Sequence, residues 1–437
     1  MSTIDQISKC LDKYQLGVYL PTIPVNYQQK NMDLSCSPYW NEKYQCNSYR
    51  TSKYRTLDGS CNNLRSPYWG RSFSCHIRLL PPDYGDGLYA MRLSKSGHSL
   101  PGARTISNYV TQNRDLRSVY TSLMVSFGQF INHDMTSTAN YRQTTSKQID
   151  CCKQADPKCV AIMMDSVNDY VETVYKTKCM NFIRSQPCAL CKLGKHLIFV
   201  NKTNSYFRHP AGPREQMNKA TSFLDGSAIY GSSLNTSNSL RSFQKGQLLA
   251  IADAKGNPIL PFDPTLKPCQ PSIPGLSCFR AGDERANQQP LLLTMQTIWL
   301  RNHNNHAMRL SQINPHWNDE TLYQEARRLT IAEIQHITYN EYLPIILGPL
   351  LMDYYRLYSK PNYTYSYYES FTDPSSWNEF VTAASRYGHS QISDFYTLGI
   401  YGNHTKFPLK ESFSDPTLTY SGMVSVLGKN FKQQTEN

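Results

Sequence analysis

Phe127-Gly128-Gln129-Phe130-Ile131-Asn132-His133-Asp134 is the stretch on which the reading of this chain turns. Through it and upstream of it, Leu116, Val119, Tyr120, Leu123, Phe127, Phe130 and Ile131 recur at steps of three and four, the spacing of one helix face. Gln129 and His133 are four residues apart and share a face. That face carries part of the apolar stripe, so both polar groups are expected to point inward. A buried His beside a Gln suggests a pocket where protons are handled. A hydrogen-bonded core histidine is the other reading the segment allows. Working outward, Pro290 opens a second helix, a favourable first position for proline, and Leu293, Thr297, Leu300, Asn304 and Ala307 line one of its faces. Another helix runs from about Glu320 to Leu343, starting with acidic residues that suit a helix N-terminus. A further one covers roughly Trp377 to Ile392. No segment alternates cleanly as a strand. Pro258, Pro261, Pro264, Pro268, Pro271 and Pro274 exclude regular structure from residues 255–277, and residues 140–215 read as loops bridged by cysteines. The expected fold class is mainly α, with long loops and little β.

Composition sets the outer limits. The 437 residues carry 45 Lys and Arg against 33 Asp and Glu, a formal charge of +12. With 40% hydrophobic and 12% aromatic residues, the chain can bury a large core and does not read as disordered. The longest apolar stretch, Leu343 to Met352, is broken by Pro344, Gly348 and Pro349 and reaches about half the length a membrane-spanning helix needs. No Lys/Arg run, RNA-binding signature or zinc finger is present, so no nucleic-acid partner is expected. The dispersed positive charge reads as solvated and would suit an acidic matrix surface.

Thirteen cysteines are dense for a cytosolic protein. Cys188-Ala-Leu-Cys191 lacks a second CxxC, which favours disulfides over zinc. Sequons begin at Asn201, Asn235, Asn362 and Asn403. Together these features predict an extracellular, disulfide-bonded glycoprotein. Met1 to Leu20 shows no signal-peptide pattern, so the natural N-terminus is expected to lie elsewhere. The odd cysteine count leaves one thiol free or paired outside the chain.

Three further segments can carry chemistry. Thr221-Ser222-Phe223-Leu224-Asp225-Gly226-Ser227 offers hydroxyls, carbonyls and a carboxylate spaced to wrap a hard cation such as Ca²⁺, with Asp134 as a second carboxylate, or else a polar loop. In Ala281-Gly282-Asp283-Glu284-Arg285-Ala286-Asn287-Gln288-Gln289-Pro290, Arg285 can stabilise a developing oxyanion or simply pair with Asp283 or Glu284. Arg386-Tyr387-Gly388-His389 places a histidine beside a glycine that lets a flat ligand approach, so His389 is a candidate haem ligand. His303, His306 and His336 lack a third metal ligand at helical spacing.

Taken in this order, these segments resemble the animal haem peroxidases, most closely the chorion-peroxidase and peroxidasin branch. Tyr54-Arg55-Thr56-Leu57-Asp58-Gly59-Ser60-Cys61-Asn62-Asn63 is similar to that family's opening, and Leu79 to Gly87 to its LPPxYxDG element. The resemblance runs from about Asn47 to Leu427. It implies one large helical peroxidase domain, residues 47–437, after an irregular arm, residues 1–46. It implies haem b and Ca²⁺ as cofactors, with Gln129 and His133 as the distal pair, Arg285 as the distal arginine and His389 as the proximal ligand. Asp134, Thr221, Phe223 (through its carbonyl), Asp225 and Ser227 would hold the Ca²⁺. The implied activity is reduction of H2O2 and oxidation of small phenolic or protein-tyrosine donors.

The sequence departs from the family where its haem is bonded covalently. Asn132 and Gln288 stand where carboxylates form ester links, and Gln289 stands where a Met can form a sulfonium bond. Amides are poor nucleophiles, so non-covalent haem is expected, and halide oxidation is disfavoured. The family also continues past the region near Val426-Leu427-Gly428 into a helical stretch that supplies an Asn to the proximal histidine. The chain is therefore expected to be a C-terminally shortened form, and a non-catalytic binding or adhesion protein of peroxidase fold, or an inactive truncated product, is the alternative.

Overall fold

The computed structural model describes Cys46 and most of residues 53–422. Residues 1–45, 47–52, 88, 111–119, 142–148, 154–155, 165–168, 170–171, 174–175, 189–212, 359–367, 401–402 and 423–437 lie outside the described set. The arm assigned to residues 1–46 and the sequons at Asn201 and Asn362 fall almost wholly among these.

Long helices build the centre. Helix α1 spans Ser122–Met135, α2 Pro290–Ile313, α3 Asp319–Ile337 and α4 Leu343–Tyr354. Helix α1 starts later than its apolar spacing suggested: Thr121 caps it in an extended conformation, and Tyr120 lies outside it, largely exposed. Pro290 occupies the first turn of α2, and Gln289 caps it by accepting the Leu291 N–H. Of the anticipated α2 face, Leu293, Thr297, Leu300 and Ala307 are all buried, while Asn304 ties down Leu248 by accepting its N–H at 2.7 Å. Asn318 caps α3 ahead of Asp319 and Glu320, which satisfies an orphan N–H and places negative charge at the positive end of the helix. Gly348 has φ of 74°, which kinks α4 in a conformation that favours glycine.

The core lies where α1 and α3 meet α2. Phe130, completely buried, stacks on Trp299 with ring centroids 5.8 Å apart. Tyr230 and Tyr323 meet edge-on at 6.0 Å. Among the described residues, strands are mostly two-residue pairs. The exception corrects the sequence reading: Phe395–Ile400 (β1) and Asn403–Pro408 (β2) form an antiparallel hairpin with Phe395 opposite Pro408 and Ile400 opposite Asn403. Six pairs of residues face one another along it, from Phe395 and Pro408 to Ile400 and Asn403. The proposed helix over Trp377 to Ile392 is also interrupted. Helix α5 covers Asn378–Thr382 and ends at Ala383, with φ of −130° and ψ of −69°. The chain continues as a 3-10 segment, Ala384–Gln391, in which no residue is buried, so no apolar face anchors a regular helix.

Disulfides join Cys46 to Cys61, Cys75 to Cys188, Cys151 to Cys159, Cys152 to Cys179 and Cys269 to Cys278. Cys188 is thus bonded outside its CxxC, as the disulfide reading of that motif requires. No helix among the described residues is long and apolar enough to cross a membrane.

His303 is fully buried within this core. Its Nδ1 lies 2.9 Å from the Tyr230 hydroxyl and its Nε2 2.9 Å from the Gly246 carbonyl, so both nitrogens are occupied and neither is a metal ligand. Burial lowers its pKa to about 4, below the ordinary histidine value of about 6.5. Between those values the unfolded chain binds a proton that the folded chain refuses, so stability falls as pH drops from about 6.5 toward 4. His303→Gln, measured by urea unfolding at pH 7 and pH 5, is expected to flatten that slope by up to about 1.4 kcal/mol per pH unit. An unchanged slope would refute the assignment.

Candidate functional site

The C-terminal end of α1 organises the site. Asp134 is completely buried, and its carboxylate accepts the N–H groups of Asp225 and Gly226, each at 3.1 Å, and of Ala228 at 2.8 Å. Ser227 Oγ donates to the Asp134 carbonyl at 2.6 Å. Thr221 Oγ1 donates to Asp225 Oδ2 at 2.8 Å and lies 3.5 Å from the Phe223 carbonyl. The loop can fold this tightly because Gly226 adopts φ of 73°, and a Cβ there would sit 2.9 Å from the Tyr230 ring. Burial raises the pKa of both carboxylates, and for Asp134 the charge of Asp225 adds to the rise. Thr221, Phe223, Asp225 and Ser227 thus gather around Asp134.

His133, one residue earlier, is also buried. Its Nδ1 has no hydrogen-bond partner among the described residues and lies 4.0 Å from Asp283 Oδ1. Burial, followed by the positive charge of Arg285, lowers its pKa to about 3, so the imidazole is neutral across the physiological range. Arg285 sits on a 3-10 turn, Glu284–Asn287, capped by Asp283. Its Nε donates to Asp283 Oδ1 at 2.8 Å, and its Nη2 donates to the Thr136 carbonyl at 2.7 Å and the His133 carbonyl at 3.2 Å. The pairing with Asp283, one of the readings left open by the sequence, is therefore real. It anchors the arginine against the end of α1 and leaves Nη1 without a partner among the described residues. Burial opposes ionisation of Asp283, but the charge and hydrogen bonds of Arg285 overcome it and hold the carboxyl at about 2.

Gln129 lies between two other amides. Its Nε2 donates to Gln288 Oε1, and its Oε1 accepts from Gln289 Nε2, both at 2.9 Å. Tyr396, from β1 of the hairpin, donates to Gln289 Oε1 at 2.6 Å. The three glutamines and the tyrosine form one continuous chain. Asn132 accepts from Thr136 Oγ1 at 3.3 Å, while its Nδ2 is buried without a partner among the described residues.

His389 belongs to the 3-10 segment Ala384–Gln391 and is exposed. Partial burial and then the charge of Arg386 lower its pKa. The segment packs on α1, because a Cβ at Gly388 would lie 4.0 Å from Val125. Arg386 is also close enough to disfavour a charged His133. Tyr387 joins its hydroxyl to that of Tyr342, which packs edge-on against Phe127 at 5.5 Å. Of the other histidines considered as metal ligands, His306 pairs with Glu333 at 3.0 Å, and His336 lies 2.9 Å from Asn340 Nδ2.

Sequence reasoning missed two members of the site. Asp283 was named only as a salt-bridge option, although a buried acid two residues before a candidate arginine is the signal that identifies it as the anchor. Tyr396 carries no local signal, because its place depends on the hairpin folding back onto Gln289.

The animal haem peroxidase family model matches residues 54–437. Chorion peroxidase of Drosophila melanogaster is 35% identical over 387 residues, which cover 85% of this chain and 45% of that protein. Thyroid peroxidase of Homo sapiens is 36% identical over 388 residues, covering 82% of this chain and 39% of that protein. Peroxidase A from Dictyostelium discoideum superposes with a TM-score of 0.65 at 26% identity, over 85% of this chain and 67% of that structure. The chain spans less than half the length of these two curated relatives. With the family match running across nearly the whole chain and relatives 35% and 36% identical over more than four fifths of it, this chain belongs to the animal haem peroxidase family.

Proposed function

We propose that residues 47–437 form a peroxidase domain that binds haem b, reduces H2O2 and oxidises small phenolic donors or protein tyrosines in an extracellular setting. The observation that carries this reading is the neutral, buried imidazole of His133, anchored beside Arg285 on the helix against which the His389 segment packs. The donor set suits a haem. His133 has an Nδ1 with no partner among the described residues, and His389 is an unburied imidazole on the neighbouring segment. His389 would ligate the iron, and Asn132 and Gln288 would lie near the haem edge without ester links. When bound, haem supplies the electrons that cleave the O–O bond and takes single electrons from donors.

The protein's contribution is proton transfer and charge placement. His133 starts as a base because burial and Arg285 keep it uncharged, so it can accept the proton from one peroxide oxygen and return it to the other. Arg285 is prevented from swinging away by Asp283 and the α1 carbonyls, and its Nη1 places positive charge where the leaving oxygen becomes negative. Gln129 is held by Gln288 and Gln289, which fixes one wall of the pocket. The disulfides and the exposed sequon residue Asn235 support an oxidising compartment.

We also assign Ca²⁺ to Asp134, Thr221, Phe223, Asp225 and Ser227. Two fully buried carboxylates that repel each other, with two hydroxyls and a carbonyl beside them, match the oxygen chemistry of a hard cation. A bound Ca²⁺ would let both stay ionised and would fix His133 through its neighbour Asp134.

A second reading, a non-catalytic peroxidase-fold binding protein, is favoured by the bonds at both ends of the Gln129 amide and by Asn132 and Gln288. The two readings diverge on two measurements. For the haem-loaded full chain, His133→Ala is expected to lower guaiacol-type turnover by about 100- to 10,000-fold while the Soret absorbance persists. Equal turnover in the variant would overturn the proton-transfer role, and absence of haem uptake by the parent chain would favour the second reading. Chelation with EDTA is expected to lower the thermal midpoint by about 1–3 °C, the scale of a 1–2 kcal/mol loss in a domain of this size. Asp225→Asn should already be lowered and should respond little to EDTA. An EDTA-insensitive parent chain would contradict the Ca²⁺ assignment.

A further inference from the structure

Two buried arginines have no acid beside them among the described residues. Arg184 and Arg214 are 7% and 4% exposed. Neither has a carboxylate within ion-pair distance among the described residues. Arg184 Nη2 donates to the Tyr89 carbonyl at 2.7 Å, and Arg214 Nη2 donates to the Ser185 carbonyl. Arg214 Nε is buried with no partner among the described residues. The adjacent acid in sequence, Glu215, is taken by Arg78 at 2.6 Å. The flanking stretches 142–148 and 189–212 contain no Asp or Glu.

The two guanidinium groups converge on one ring. Arg184 lies 4.2 Å and Arg214 5.1 Å from the centroid of Tyr89. Tyr141 is shared in the same way by Arg214 at 5.9 Å and Lys158 at 5.6 Å. The backbone fixes this arrangement: the Arg184 N–H donates to the Lys158 carbonyl at 2.8 Å, and the Tyr141 N–H to the Arg184 carbonyl at 3.3 Å. The disulfides Cys151–Cys159 and Cys75–Cys188 close the runs on either side. Burial, and then the charge of Arg184, hold Arg214 below its ordinary pKa.

Cation–π contacts offset part of the cost of desolvating a charge, but two like charges buried together remain expensive without a counter-charge. We propose that Arg184, Arg214 and Lys158 form a binding site for a small inorganic oxyanion, of the sulfate or phosphate type. The planar forks of two arginines suit two edges of such an ion. Lys158, half-buried, marks the route in. The deep burial of both arginines excludes a polymeric polyanion. The ion would brace the disulfide-bridged layer, which leads through Gln216 and Met217 to Asn218. Asn218 in turn accepts the Ser137 N–H at 2.7 Å, just beyond α1.

The test is thermal unfolding of the full chain in a sodium sulfate titration, with ionic strength held constant by sodium chloride. The unmodified chain is expected to show a saturable rise in midpoint, distinct from the linear stabilisation that sulfate gives proteins in general. Arg184→Gln and Arg214→Gln should each weaken the apparent sulfate affinity at least tenfold, and the exposed control Lys406→Gln should keep it. No saturable rise in the parent chain, or an equal one in both arginine variants, would overturn the proposal. Should the variants fail to fold, crystals of the parent chain soaked in selenate decide the matter. An anomalous peak between the two guanidinium groups is expected, and its absence would overturn the site.

Discussion

The structure turns on the burial of two carboxylates, Asp134 and Asp225, under the end of the central helix. Burial raises the cost of ionising both, and the charge of Asp225 raises it further for Asp134. The fold answers by pointing the backbone N–H groups of Asp225, Gly226 and Ala228 at Asp134. That requirement sets the turn at Gly226 and brings Thr221 and Ser227 inward. It also fixes where α1 ends, since Ser227 holds the last-turn carbonyl of Asp134. The position of His133 follows, because it lies one residue from that anchor.

The same helix end holds the second electrostatic group. Arg285 approaches the free carbonyls of His133 and Thr136, where positive charge is favoured at a helix C-terminus. Asp283 neutralises and orients it. The outcome is a neutral histidine beside a fixed cation, a combination that follows from burial and charge geometry. Gln288, Gln289 and Gln129 hydrogen-bond to one another, an arrangement that ionised carboxylates could not make without donors of their own.

Much of this was legible in the sequence where the signal is local. The spacing around Phe127 to Asp134 marks α1, Pro290 marks the start of α2, and the alternating oxygens of Thr221 to Ser227 mark the loop around Asp134. Where the outcome depends on distant contacts, the sequence was silent. The hairpin of Phe395–Ile400 and Asn403–Pro408 pairs with itself and buries Tyr396 against Gln289, which no periodicity records. The segment Trp377 to Ile392 has helical spacing, yet it breaks at Ala383, and no residue of its second half, Ala384–Gln391, is buried to hold a regular helix. The choice between a salt bridge and a site role for Arg285 was open in the sequence. In three dimensions the salt bridge forms, and the Asp283 pair holds Arg285 next to the His133 carbonyl.

The proposed function requires that His389 hold the haem iron and His133 carry the peroxide proton. The most direct measurement is resonance Raman spectroscopy of the ferrous, haem-loaded full chain. The account predicts a five-coordinate haem with an iron–imidazole stretch that His389→Gln abolishes and His306→Gln preserves. Survival of that stretch in His389→Gln, or its loss in His306→Gln, would contradict it.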